Sequence, residues 1–191
     1  MRIILFSSLF FLFTGSATAR GKVHRPSDAA RFEVNTDVLS ILNGVIDGER
    51  EINLSGEMAF KRRFGILFHL ATEKENHQWY TKESWNFTAE FRWYFECDCY
   101  SASHIGIFSG FMNTNTDSHP FYLQQTVSFF ENGITGGYKL MISNSWSVDP
   151  SVSLFVSSRL QNQIPETFAS TSDYGDTELL MRIMLIVGYR F

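Results

Sequence analysis

The sequence has little of what marks soluble enzymes, nucleic-acid-binding proteins and disordered chains. Charged residues make up 19% of its 191 residues, below the ~25% typical of globular domains. The net charge of −4 argues against a basic nucleic-acid-binding protein. Aromatic residues make up 16%, with 19 phenylalanines, and this content argues against disorder.

Long hydrophobic runs are also missing after residue 19. A membrane-spanning helix needs about 20 consecutive, mostly apolar residues, and no such segment follows. The mean hydropathy is −0.10, so apolar and polar residues must alternate. The sequence therefore excludes a bundle of membrane-spanning helices.

Cysteines are scarce, with Cys97 and Cys99 as the only two. Two thiols are too few ligands for a structural zinc site. In an oxidising compartment they could pair, although a disulfide closing so small a ring would be strained. The alternative is a pair of turn residues without chemistry. We predict no metal site and no cofactor.

The first 19 residues have the layout of a secretory signal peptide. Arg2 supplies a positive start, residues 3–13 are an apolar run, and residues 17–19 read Ala-Thr-Ala. This order is typical of a cleaved leader, and the apolar run is too short to cross a bilayer. We predict a signal peptide at 1–19 and a periplasmic N-terminal tail at 20–32.

Apolar and polar residues alternate with period two through the rest of the chain. Within 85–96, one face carries Trp85, Phe87, Ala89, Phe91, Trp93 and Phe95. Such alternation is typical of strands with one apolar face, and tryptophan near both ends suits a membrane-spanning strand. Similar segments occur at 33–42, 52–60, 64–71, 104–113, 132–142, 146–158 and 179–191. We predict an all-β fold, an eight-stranded antiparallel up-and-down transmembrane β-barrel over residues 33–191.

The connections between these segments differ in length in a regular way. Those at 61–63, 96–103 and 143–145 are all shorter than those at 43–51, 72–84, 114–131 and 159–178. Bacterial outer-membrane barrels have short periplasmic turns and longer outer loops. We therefore predict a bacterial outer-membrane location with both termini periplasmic.

The last residues resemble the C-terminal signal of outer-membrane barrels. Phe191 ends the chain, and Tyr189 and Val187 precede it at alternate positions. The resemblance implies recognition by the barrel-assembly machinery of Gram-negative bacteria during insertion.

Four segments resemble an uncharacterised domain-of-unknown-function family of small barrels found in Bacteroidota. They are EFRWYFE (90–96), HIGIFSGF (104–111), residues 132–154 and the closing VGYRF (187–191). The resemblance implies an eight-stranded outer-membrane barrel, sometimes encoded near fimbrial or other surface-assembly genes. It brings no catalytic residues.

Strand phase directs several charged side chains into the barrel. We predict a lumen ion network of Glu57, Glu90, Arg92, Arg182 and Arg190, with pairings such as Glu90–Arg182 or Glu57–Arg92. Such residues could form a pore constriction. An eight-stranded barrel is just wide enough to be filled by side chains, which favours a plug over a small pore.

An enzyme is the second alternative. A lipid A deacylase-like enzyme of the outer leaflet would need a nucleophile, a base and an orienting acid near the outside. His69 faces inward near the outer end, whereas His104 begins a strand at the periplasmic end. No G-x-S-x-G motif occurs. We predict no catalytic residues.

The predicted loop 114–131 contains aromatic residues that could anchor a partner. They are Phe121, Tyr122, Phe129 and Phe130. The alternative is a strand hairpin that continues above the membrane. We predict a non-enzymatic structural or accessory subunit of a cell-surface complex. Its expected partners are the lipid bilayer, lipopolysaccharide and other outer-membrane or surface proteins, but not nucleic acid.

Overall fold

A computed structural model describes residues 31–47, 50–60, 63–95, 101–118, 123–163 and 177–191. Residues 1–30, which hold the predicted signal peptide and most of the predicted tail, lie outside the described residues, as do Cys97 and Cys99. The described elements are β1 (Arg31–Asp37), α1 (Val38–Asp47), β2 (Arg50–Phe60), β3 (Phe64–Asn76), β4 (Tyr80–Tyr94), β5 (Ser101–Ser118), β6 (Leu123–Met141), β7 (Trp146–Gln163) and β8 (Thr177–Arg190).

The strands form one closed barrel in which each pairs with its sequence neighbours. All the pairs are antiparallel, and β8 closes the sheet against β1 with Glu33 opposite Arg190 and Asp37 opposite Ile186. Closure leaves no sheet edge around the barrel, as a sheet in lipid requires. The prediction of an eight-stranded antiparallel barrel is confirmed.

The two faces of the barrel wall differ as the alternation predicts. The outer face exposes large apolar side chains, including Ile52 at 71% and Ile107 at 64%. The inner face buries polar side chains, including Asn53, Thr88 and Ser153. An apolar exterior around a polar interior is the opposite of a water-soluble barrel and suits a wall in contact with lipid.

Aromatic side chains ring the outer face at two levels. Trp85, Phe111 and Phe130 mark one level, with the rings of Trp85 and Phe111 5.3 Å apart and Phe130 opposite Phe111. Trp93 and Trp146 mark the other. The interval from Trp85 to Trp93 spans ~26 Å along the strand, or ~20 Å of membrane at a barrel tilt of ~40°. No helix within the described residues is both long enough and apolar enough to cross a membrane.

The predicted first strand, 33–42, is wrong in its second half. The strand ends at Asp37, and α1 follows at once. Apolar residues recur at helical spacing in the sequence from Val38 to Ile46. The Asp37 carboxylate accepts a hydrogen bond from the backbone N–H of Leu39 at 3.1 Å, which is the geometry of a helix N-cap.

The predicted contrast in connection length is also wrong, because the strands continue into the predicted loops. Most of 72–84 belongs to β3 and β4, and most of 114–131 belongs to β5 and β6. Cross-strand pairs hold these extensions together, including an ion pair of Lys74 with Glu83 and a hydrogen bond from Asn113 to Ser128 at 2.9 Å. The hairpin alternative for the aromatic segment is therefore the one found over its described residues.

The extensions all lie at one end of the barrel. We call this the loop end, and the end with the short connections 61–63 and 142–145 the turn end. We call the part of the sheet beyond the Trp85 level the extramembrane wall. It comprises residues 73–76, 80–84, 112–118, 123–129 and 159–163. Beyond Phe111, β5 continues for ~23 Å along the strand.

Candidate functional site

The lumen near the turn end is filled by interacting charged side chains. Seven of the eight strands contribute to this turn-end cluster. Its members are Glu33, Glu57, Glu90, Arg92, His104, Lys139, Asp149 and Arg190. Alternation along each strand directs all of these side chains inward, because the neighbouring positions face lipid.

Arg92 is the central cation of the turn-end cluster. Its guanidinium lies 2.8 Å from Glu90, 2.7 Å from Asp149 and 3.6 Å from Glu57. The Arg92 side chain is only 1% exposed. A charge so buried requires paired partners, and the planar guanidinium can serve three carboxylates at once.

Lys139 is the second buried cation, and it bridges two other carboxylates. Its Nζ lies 2.7 Å from Glu57 and 2.8 Å from Glu33. Arg190 approaches Glu33 from the barrel seam at 3.3 Å. The Tyr94 hydroxyl donates a hydrogen bond to Glu57. Glu57 is thus shared between both buried cations, which joins the cluster into one network.

His104 is held inside the same network. Its Nε2 lies 2.9 Å from Asp149, and its side chain is fully buried. The site therefore gives His104 a structural partner at the turn end and no access to solvent.

Inward glycines make room for these large side chains. A Cβ at Gly106 would collide with the Glu90 carboxylate, and one at Gly188 would collide with Asn35 and Glu33. Gly106 lies opposite Arg92 in the β4–β5 register. The cluster therefore fills space that small residues on adjacent strands leave free.

An apolar layer lies on the loop-end side of the cluster, and a second polar layer follows it. The rings of Phe108 and Phe155 lie 5.9 Å apart, and the Arg182 guanidinium sits 4.8 Å from the centre of the Phe155 ring. Arg182 pairs with Glu131 at 3.4 Å, and Asn86 donates a hydrogen bond to Glu131 at 3.1 Å. Glu131 is only 1% exposed.

The structure separates the predicted network residues into two layers. Glu57, Glu90, Arg92 and Arg190 lie in the turn-end cluster, whereas Arg182 lies in the upper layer. The suggested pair Glu57–Arg92 is present at 3.6 Å. Glu90 instead bonds Arg92, and Arg182 bonds Glu131, because the register places Glu90 nearer the turn end.

A cavity of about 270 Å³ opens above Arg182 in the loop-end half of the lumen. We call it the loop-end cavity. Its polar lining includes Asp37, Ser40, Glu51, Asn53, His69, Glu73, Ser84, Asn86 and Arg182. In the part of the chain that the structure describes, no group of three or more histidine, cysteine, aspartate or glutamate side chains is placed to hold a metal ion.

The predicted partner-contact aromatics fall in different places. Phe130 lies on the lipid-side aromatic level of β6, and Phe129 precedes it beside a register shift, with the Arg159 guanidinium 5.9 Å from its ring centre. This placement of Phe130 favours a lipid contact. Phe121 and Tyr122 lie outside the described residues, and their role stays a prediction.

The C-terminal residues complete the barrel seam. Val187 and Tyr189 pair with β1 at Thr36 and Val34. The backbone N–H of Phe191 donates to Phe32 at 3.2 Å, while the Phe191 side chain is 81% exposed. Their role as an assembly signal stays a prediction.

Five charged or titratable residues of the lumen ion pairs are absent from the predicted network. They are Glu33, His104, Glu131, Lys139 and Asp149. Lys139 and Asp149 occupy inward positions between lipid-facing residues, so strand phase could have found both. Glu131 falls in a predicted loop, and the segment that holds Glu33 alternates too weakly to fix its phase.

The family of the chain follows from a match over most of its length. The family model described as "Protein of unknown function (DUF3575)" matches residues 7–165. The chain belongs to the DUF3575 family. No curated protein matches the chain.

Solved structures of small outer-membrane proteins are similar to this DUF3575 barrel. Neisserial surface protein A is 6% identical, with a TM-score of 0.53 over 85% of this chain and 96% of that one. Ail, the attachment invasion locus protein of Yersinia pestis, is 13% identical, with a TM-score of 0.49 over 85% and 97%. A major outer membrane protein from Thermus thermophilus is 14% identical, with a TM-score of 0.48 over 85% and 100%. At these identities the likeness concerns the fold alone.

Proposed function

We propose that this DUF3575 protein is a non-enzymatic, non-conducting barrel of the bacterial outer membrane. In this proposal it serves as a structural or accessory subunit of a cell-surface complex. The extramembrane wall is its partner-binding surface, and both chain termini face the periplasm. Lipids and lipopolysaccharide surround the barrel, and the barrel-assembly machinery recognises the end of the chain.

The extramembrane wall is the observation that carries the proposal. Five strands continue beyond the outer aromatic level at one end of the barrel. A bilayer needs only ~9–11 residues of each strand, whereas β5, β6 and β7 have 18, 19 and 18 residues. Lipid insertion does not require the additional length, and a rigid, hydrogen-bonded sheet is well suited to hold a protein partner.

The outward side chains of the wall also suit a protein surface. Asn115, Asp117 and Gln124 are polar and exposed. Thr126 donates a hydrogen bond to Asn115 at 2.8 Å, which orders the surface before any partner arrives. A preordered surface loses less conformational entropy on binding than a loose loop.

The filled turn end of the lumen supports a role other than transport. The turn-end cluster draws side chains from seven strands into the barrel, and Arg92, His104 and Asp149 are almost fully buried there. An eight-stranded barrel has an interior that such side chains can fill.

Site-specific photocrosslinking in the native envelope tests the proposal. A photoreactive residue at Gln124 replaces an exposed side chain of the wall, and one at Ile107 on the lipid face is the matched control. We expect one discrete protein adduct from Gln124 and none from Ile107. The absence of an adduct at Gln124 and at its cross-strand neighbour Asp117, or equal adducts at Ile107, would contradict a partner on the wall.

A further inference from the structure

The loop-end cavity has the features of a built binding site. Its wall is contributed by side chains from β1, β2, β3, β4, β5 and β8, with Ser40 of α1 at one side. The Arg182 side chain, at the floor, keeps 33% of its surface exposed, so solvent reaches into the cavity. At about 270 Å³, it is just below the ~300–1,000 Å³ range of sites for drug-sized ligands.

One buried polar atom in this cavity has no partner. Asn53 is 7% exposed, and its Nδ2 donates hydrogen bonds to Ser40 at 2.9 Å and to Glu51 at 3.2 Å. Its Oδ1 accepts none. A buried acceptor without a donor is destabilising, and an N–H or O–H of a bound molecule would satisfy it.

The charges of the lining define the chemistry of that molecule. The lining holds the carboxylates of Asp37, Glu51 and Glu73 and one guanidinium, that of Arg182. Glu73 pairs with Lys82 at 4.0 Å, which leaves the charges of Asp37 and Glu51. Arg182 already pairs with Glu131. The lining is therefore negative overall and attracts a positive group.

The carboxylates of Asp37 and Glu51 differ in the hydrogen bonds that they already accept. The Asp37 carboxylate is tied to the fold, since its Oδ1 accepts from the backbone N–H groups of Leu39 and Leu185, both at 3.1 Å. Glu51 is held by Asn53 itself, so its charge lies beside the unsatisfied amide oxygen. An amide oxygen next to a carboxylate matches a compact group that carries one positive charge and several N–H donors.

We propose that the loop-end cavity binds a small polar molecule through a primary ammonium group. The ammonium donates to Asn53 Oδ1 and to the Glu51 carboxylate, while Ser84 and Asn86 line the space around the rest of the molecule. This inference concerns the lumen and does not depend on a partner at the extramembrane wall.

Calorimetric titration of the folded, detergent-solubilised full-length protein tests this assignment. Glucosamine is the probe, and glucose is its neutral control because a hydroxyl replaces the ammonium. We expect saturable binding of glucosamine and at least tenfold weaker binding of glucose. Equal binding of both sugars, or no binding of glucosamine, would overturn the ammonium assignment. So would competition by millimolar Ca²⁺ if Ca²⁺ binds with the same affinity as glucosamine.

Two variants locate the binding site. Glu51→Gln keeps the side-chain shape and removes the charge, and Asn53→Leu removes the unpartnered oxygen at similar size. Each is expected to weaken glucosamine binding at least tenfold. Glu83→Gln removes an outward charge that is paired with Lys74 and is the matched control, expected to change affinity less than twofold.

The control also separates specific from diffuse attraction. If Glu83→Gln weakens binding as much as Glu51→Gln, the attraction is to the overall charge and the assignment fails. If Asn53→Leu does not fold, Glu51→Gln decides alone, because unchanged glucosamine affinity in that variant overturns the proposal.

Discussion

Replacing Arg92 by methionine probes the turn-end cluster at its centre. Methionine has a similar length and keeps apolar packing, but it removes the guanidinium from beside Glu57, Glu90 and Asp149. Glu57 keeps Lys139, and Asp149 keeps His104. Glu90 loses the cation that holds both of its oxygens. The variant therefore leaves at least one buried carboxylate without a counter-charge.

The expected loss is large because the site is dry. Removing one partner of a buried ion pair costs about 3–5 kcal/mol, and three carboxylates at an essentially unexposed guanidinium argue for the middle of that range or above. A loss of about 4 kcal/mol changes the unfolding equilibrium roughly a thousandfold. Lys74→Met breaks an exposed pair with Glu83, which should cost no more than ~1 kcal/mol.

Urea unfolding of the barrel in lipid vesicles, followed by tryptophan fluorescence, measures both variants. Adding Glu90→Gln to Arg92→Met should restore part of the lost stability, because the unpaired carboxylate is then neutral. A loss below ~1 kcal/mol for Arg92→Met, equal to that of the exposed pair, would refute the claim that the cluster is a buried and cooperative network.

Three further outcomes are expected. Gly106→Ala forces a methyl group against Glu90 and should cost about 1–3 kcal/mol, while Gly136→Ala, with nothing within 4 Å of the added Cβ, should change stability little in the same urea assay. Partial burial alone would raise the pKa of Glu75, but hydrogen bonds from His77 and Tyr80 and the charge of Lys82 lower it below 4.5. The tip of the β3–β4 hairpin should therefore be most protected from amide exchange above that pH, lose protection as the pH falls through the lowered value, and lose this dependence in Glu75→Gln. In planar bilayers the protein should give no discrete conductance steps, and a reproducible unitary step would contradict a lumen that is blocked at the turn end.

The barrel could be predicted where membrane and lumen impose opposite demands on adjacent residues. Residues 85–95 alternate without interruption, because Phe91 must face lipid while Arg92 needs its buried partners. Strand phase alone therefore places Glu90 and Arg92 in the lumen.

Segments that do not lie between lipid on one face and the polar lumen on the other could not be predicted in the same way. The extramembrane wall has water on its outer face, so 114–128 lacks strict apolar alternation and has the composition of a loop. The helix α1 follows directly on a strand, and its own apolar residues blur the boundary at Asp37. Ion-pair partners such as Glu131 for Arg182 depend on register between distant strands, which no local pattern encodes.

In the proposed function, this barrel works as a subunit held by a partner on its extramembrane wall. The most direct measurement is the native mass of the tagged protein after extraction from its own envelope in a mild detergent. We expect a mass well above that of one chain with its micelle, the chain being the 22.0 kDa polypeptide less its predicted leader. The single-chain mass should return when bulky charged residues replace Asn115 and Gln124. A wild-type protein that is extracted only as a single barrel would contradict the subunit role.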